Sequence, residues 1–113
     1  MEDLKKDAED NKVMGILAYL GILVLVPILA AKESPFARFH ANQGLVLFIA
    51  YIAVYIALKI LSSILTYHFF FITSLLYFAL GIGTLVFMII GIMNAAKGET
   101  KELPIIGKYK ILK

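Results

Sequence analysis

Residues 60–96 read ILSSILTYHFFFITSLLYFALGIGTLVFMIIGIMNAA, thirty-seven residues from Ile60 to Ala96 without a formal charge. As one straight helix they would run roughly 55 Å, nearly twice the hydrocarbon thickness of a bilayer. The run must turn. The expected place is Thr66-Tyr67-His68, where polar and aromatic residues meet and Phe69-Phe70-Phe71 supply an interfacial belt at a helix end. A turn at Gly81-Ile82-Gly83 would leave a much longer preceding segment, and glycine is common inside transmembrane helices. The last span is therefore placed at 71–96.

Upstream, Ser34-Pro35 reads as an N-cap followed by proline at the first helical position. No breaker follows until about Leu65, and a helix of that length, about 46 Å, exceeds what a bilayer needs. Residues 35–43 are read as an interfacial lead-in and 44–65 as a span. In the lead-in Phe36, Phe39, His40 and Gln43 share one face, while Arg38 and Asn42 are expected to point away. Further upstream the uncharged run Val13–Ala31 is nineteen residues, the length of one more transmembrane helix, with Pro27 expected to kink its last turn. A cleaved signal peptide fits poorly, since five carboxylates face three lysines in the preceding residues. The expected fold is all-α, an integral membrane three-helix bundle. Its parts are a polar N-tail (1–12), spans at 13–31, 44–65 and 71–96, the lead-in (35–43) and a basic C-terminal tail (97–113).

Composition agrees. Of 113 residues 61% are hydrophobic and 17% charged, more apolar surface than a ball this small can hide. That argues against a soluble enzyme and against a disordered tail. The absence of cysteine removes disulfides, thiolate metal sites and a cysteine nucleophile. The C-tail carries five lysines against two glutamates; it either rests on anionic headgroups or stays solvated. With three spans, basic residues divide four against seven, which places the C-terminus in the cytoplasm.

Few groups offer chemistry. Every carboxylate lies in a tail or the first loop, and His40 and His68 fall at opposite ends of the second span. No metal-ligand spacing, glycine-rich phosphate loop or oriented triad emerges, so no metal and no cofactor is expected. A dyad of Ser62 or Ser63 with His68 lacks both an orienting group and an oxyanion hole. What stands out is a stripe of Tyr51, Tyr55, Lys59 and Ser62 along one face of the second span. Lys59 is the one charge in any span, and it is close enough to the helix end to snorkel. The third span presents Thr73, Tyr77, Gly81, Thr84, Met88, Gly91 and Ala95, a face suited to close helix packing. Three helices enclose no aqueous lumen. The expected function is therefore non-enzymatic, as subunit or assembly factor of a membrane complex. The alternative is a homo-oligomeric channel or small-solute transporter lined by Tyr51, Tyr55 and Lys59. The partners expected are the lipid bilayer and further copies or other membrane proteins, not nucleic acid.

Arg38-Phe39-His40-Ala41-Asn42-Gln43-Gly44 resembles the Arg-Phe-His-Ala-x-Gln-(Ala/Gly) motif of a prokaryotic membrane family of unknown function. Asn94-Ala95-Ala96-Lys97-Gly98 followed by Leu103-Pro104-Ile105-Ile106-Gly107 is similar to that family's close, a small-residue helix end and Leu-Pro-x-x-Gly. The family is related to the Tic-twenty component of the chloroplast inner-envelope protein translocon, and some magnetosome membrane proteins resemble it too. The resemblance implies a place in the cytoplasmic membrane of a prokaryotic cell and a role within a membrane complex, and it marks Arg38, His40, Gln43, Pro104 and Gly107 as positions to test. Read structurally, Arg38, His40 and Gln43 would cap and anchor the start of the second helix, and Pro104 and Gly107 would shape a turn.

Overall fold

The computed structural model describes residues 2–65 and 69–112. They form α1 (Glu2–Asp10), α2 (Lys12–Leu17), α3 (Leu25–Ala30), α4 (Pro35–Ile64) and α5 (Phe70–Ala96), with short 3₁₀ turns at Gly21–Val24 and Ile106–Lys108 and no strand among the described residues. The start of α4 follows from its sequence. Ser34 is extended, its Oγ accepts from the Ala37 N–H at 3.0 Å, and Pro35 takes the first helical position. Nothing then interrupts the helix for thirty residues, so lead-in and span are one rod of about 45 Å. The connection expected at Thr66-Tyr67-His68 lies outside the described residues.

The end of α5 is equally local in origin. Gly98 adopts φ +72°, its N–H bonds the Ala95 carbonyl at 3.0 Å, and the Glu99 N–H bonds the Asn94 carbonyl at 2.9 Å. This paired closure needs a left-handed residue, which glycine supplies without a Cβ penalty. Helices α4 and α5 form an antiparallel hairpin, each long and apolar enough to cross a membrane.

Over 13–31 the structure departs from a single helix. α2 stops at Leu17, Gly21 turns the chain at φ +65°, and α3 lies back alongside α2. Asp7 precedes this segment, yet its carboxylate accepts from Ser34 Oγ at 2.6 Å and from the Phe36 N–H at 2.9 Å, both beyond it. The chain therefore leaves the segment at the end where it entered. Nineteen apolar residues are enough to cross a bilayer, but length is silent about path, and Gly21 lets the path reverse. Pro27 accordingly sits in the first turn of α3, where a missing N–H leaves no carbonyl unpaired, rather than kinking the last turn of a long helix.

This folded arm is seated between the lead-in half of α4 and the closing half of α5. A Cβ on Gly44 would fall 1.8 Å from the Ala18 carbonyl oxygen, and one on Gly91 would fall 2.2 Å from the Tyr19 ring. Small residues thus let the backbone of the arm lie directly on α4 and the Tyr19 ring lie directly on α5. Ala18, Tyr19, Val24, Phe36, Ala41, Leu47, Ala95 and Leu103 share the core. Beyond the tip of the arm, α4 and α5 continue as a bare pair whose large apolar side chains, Ile56, Ile60, Phe71 and Phe78 among them, are exposed. The molecule is 59 Å long and about 22 Å across.

Candidate functional site

Arg38, His40, Asn42 and Gln43 cluster in the first three turns of α4, at the end of the hairpin where the tails lie. Asp7 clasps that end. Besides Ser34 and Phe36 it accepts from Asn11 Nδ2 at 2.9 Å, and its negative charge faces the N-terminus of α4, where the helix dipole favours an anion.

One turn further, His40 is fully buried and edge-on to the rings of Phe36, Phe39 and Tyr19. Its Nε2 lies 2.7 Å from the Glu99 carbonyl, which can only accept, so Nε2 carries the proton. In the neutral ring Nδ1 is then an acceptor, and the Tyr19 hydroxyl donates to it at 2.6 Å. Burial holds the imidazole down to about 4, opposed in part by the Glu99 carbonyl. His40 is thus a neutral bridge from the N-terminal arm to the C-terminal tail.

Gln43 and Asn42 extend the bridge. Gln43 Oε1 accepts from the Leu103 N–H at 2.7 Å and its Nε2 donates to the Gly107 carbonyl at 2.9 Å, so one buried amide spans the turn containing Pro104. Asn42 donates to the Tyr109 carbonyl at 2.9 Å, and its Oδ1 accepts from the N–H groups of Ile111 and Leu112 at 2.6 and 2.9 Å. The tail is therefore fastened at three levels of α4 by side chains that stand in for a neighbouring strand. The expectation that Asn42 points away is corrected, because the returning tail covers that face and buries it. Nor do His40 and Gln43 cap α4; Ser34 and Asp7 do that.

Of the five motif positions, Gln43 and Gly107 meet directly, Pro104 adjoins Leu103, and His40 joins the same tail through Glu99. Gly107 is buried under Gln43, with a Cβ there falling 2.5 Å from Oε1, while Pro104 is exposed. Arg38 is half-buried on α4. Sequence reasoning did not single out Tyr19 or Asp7, whose partners lie 21 and 29 residues away. Asn42 lay inside the motif and was the nearest to being legible.

The stripe lies at the other end. Tyr51 stacks on Tyr55 at 6.0 Å, Tyr55 meets Tyr77 of α5 edge-on at 5.7 Å, and Lys59 Nζ is 5.9 Å from the Tyr55 ring. Ser62 is occupied locally, donating to the Leu58 carbonyl at 2.8 Å. Lys59 is exposed, with Ser62, Thr73, Ser74 and Tyr77 around the same shallow hollow. Between the stripe and the polar base, the tip of the arm roofs an apolar cleft of about 510 Å³ lined by Tyr19, Gly21, Gly44, Phe48, Tyr51 and Thr84. Among the described residues no cluster of His, Asp or Glu is placed to hold a metal ion.

Residues 10–110 match the magnetosome magnetite crystal formation protein family. Magnetosome protein MamF of Paramagnetospirillum magneticum is 33% identical over 100 residues, which cover 88% of this chain and 82% of that protein. Magnetosome protein MmsF of the same organism is 32% identical over 94 residues, 83% of this chain and 79% of the other. MamF of Magnetospirillum gryphiswaldense is 33% identical over 94 residues, 83% and 77% respectively. No solved structure matches the chain. These matches overturn the kinship with the chloroplast translocon component that the two motifs suggested. Both motifs lie within the matched stretch, and two short segments that fasten a tail to a helix discriminate less than a match along nearly the whole chain. The chain belongs to the magnetosome magnetite crystal formation protein family.

Proposed function

We propose that this protein is an integral protein of the magnetosome membrane and acts in magnetite crystal formation by association, without catalysing a reaction. Kinship with MamF and MmsF supports the setting. The observation that carries the mode of action is the use made of the polar side chains. His40, Asn42 and Gln43 are spent on the protein's own tail, and Asp7 on its own first turn, so the groups best suited to chemistry are structural. What the protein offers outward is the apolar surface of α4 and α5, suited to lipid and to the helices of another copy or another membrane protein.

In this reading the bundle has two crossing helices, and its third member is the folded arm, which dips into the bilayer and returns. Both tails then share one side. The basic residues support a cytoplasmic side for them, since every described lysine and arginine except Lys59 belongs to that end of the hairpin. The test is made in a magnetotactic bacterium deleted for its own MamF and MmsF. Expression of this chain is expected to place it in purified magnetosome membranes and to move crystal diameter, measured by electron microscopy, toward that of the parent strain. Crystals indistinguishable from those of the deletion strain, with the protein present in the membranes, would overturn the reading.

A further inference from the structure

The C-terminal tail does not simply run off the end of α5. Glu99 lies against His40, Leu103 against Gln43, and Ile106 reaches a hollow lined by Leu47, Ala50, Gly83 and Phe87, nearer the apolar half of the hairpin. The chain then comes back, with Gly107 on Gln43, Tyr109 on Asn42 and the Lys110 ammonium 5.4 Å from the Phe39 ring. The tail is a loop that dips along α4 by about two helical turns and returns.

At the tip of that dip the backbone is strained. Ile105 has φ +66° and ψ −58°, and the Ile106 N–H closes on the Pro104 carbonyl at 2.6 Å, a γ-turn of the uncommon hand. A β-branched residue is poorly suited to positive φ. The side chain so presented is not buried: Ile105 is 80% exposed, and Tyr109 and Ile111 are exposed nearby. Lys108 stands beside them, its ammonium 5.4 Å from the Tyr109 ring. Lys101 pairs with Glu99 and Lys110 with Glu102, which engages both carboxylates of the tail and leaves Lys97 and Lys108 to carry positive charge among its described residues.

We propose that the turn from Leu103 to Tyr109 is an interfacial anchor, in which Ile105 enters the edge of the hydrocarbon and Lys108, beside Tyr109, binds the phosphate of an anionic lipid headgroup. Depth argues for lipid as the occupant. The tip lies level with Leu47, one turn inside Gly44, where the bilayer-spanning part of α4 begins, while Lys108 lies back at the level of Gln43. An apolar tip below an aromatic and a cation is the order in which a membrane interface is layered.

The proposal rests on α4 and α5 crossing the membrane, and the test separates the two claims. The chain has no tryptophan, so single probes can be placed by Ile105→Trp and, as a control on the exposed face of α5, by Phe78→Trp. In nanodiscs of mixed phosphatidylcholine and phosphatidylglycerol with brominated acyl chains, both indoles are expected to lose about half of their fluorescence or more. Quenching at position 105 is expected to weaken when Lys108→Gln is added or phosphatidylglycerol is omitted. Quenching at 78 with a water-like, unquenched indole at 105 overturns the anchor alone; no quenching at either overturns the crossing. A blue-shifted indole at 105 that bromine leaves unquenched assigns the tip to a second copy and also overturns the anchor. Quenching at 105 indifferent to Lys108 and to lipid charge overturns headgroup binding. Should Ile105→Trp disturb the turn, a nitroxide on Ile105→Cys, read by its relative access to oxygen and to a water-soluble nickel complex, gives the same decision.

Discussion

At His40 a single side chain joins the arm to the tail, and its chemistry carries a pH dependence. An exposed imidazole titrates near 6.5, whereas burial holds this one to about 4. Between those values the unfolded chain binds the proton and the folded one does not, so stability falls as pH drops through the window and is level above it. The full difference is roughly 3–4 kcal/mol, at about 1.4 kcal/mol for each unit. Thermal unfolding in detergent micelles is therefore expected to show a midpoint that declines below about pH 6.5. In His40→Gln that part of the slope should vanish, at the cost of a lower midpoint at neutral pH; an unchanged slope would contradict a neutral buried ring. The motif around His40 was visible in the sequence, but its purpose was not. Gln43 and Gly107 are 64 positions apart, and only the folded chain brings one amide onto both the Leu103 N–H and the Gly107 carbonyl.

Among the elements, the long helices were legible because their signals are local: Ser34-Pro35 to start α4, Gly98 to end α5, and uncharged residues between. The arm was not, since hydropathy counts residues without following their direction. Its cue, Gly21, differs from the helical glycines only in its sign of φ. The glycines of α4 and α5 look alike in sequence and differ in what they touch, which yields a paired prediction. Gly81 and Gly83 have nothing within 4 Å of an added Cβ, so Gly81→Ala should leave stability unchanged or raise it by up to about 1 kcal/mol through helix propensity. Gly44→Ala must push the Ala18 carbonyl aside, backbone against backbone, and should cost about 3 kcal/mol or unseat the arm. Unfolding midpoints of the two variants in one detergent decide the matter; equal midpoints would mean that the arm is not packed on α4 as described.

For the whole molecule the reversal at Gly21 changes the topology. One more crossing would separate the two tails, whereas an arm that returns to Asp7 keeps them together, and the four-against-seven charge division becomes nearly one-sided. Cysteines introduced by Lys5→Cys and Lys108→Cys should react with a membrane-impermeant maleimide from the same face of sealed vesicles, and one introduced by Phe69→Cys, exposed at the start of α5, from the opposite face. Labelling of positions 5 and 108 from opposite faces would restore a third crossing. The seating of the arm also bears on how the protein is made. Residues 12–20 pack on Phe36, His40, Gly44, Gly91 and Ala95, so this stretch leaves the ribosome well before the last of its partners is made. Synthesis must run through most of α5 before Tyr19 can settle on Gly91, and His40 cannot be bridged until Glu99 exists. A nascent chain halted after α4 would hold an arm with half of its berth missing, so biogenesis of this protein requires that residues 12–31 be kept from aggregating until the second long helix arrives.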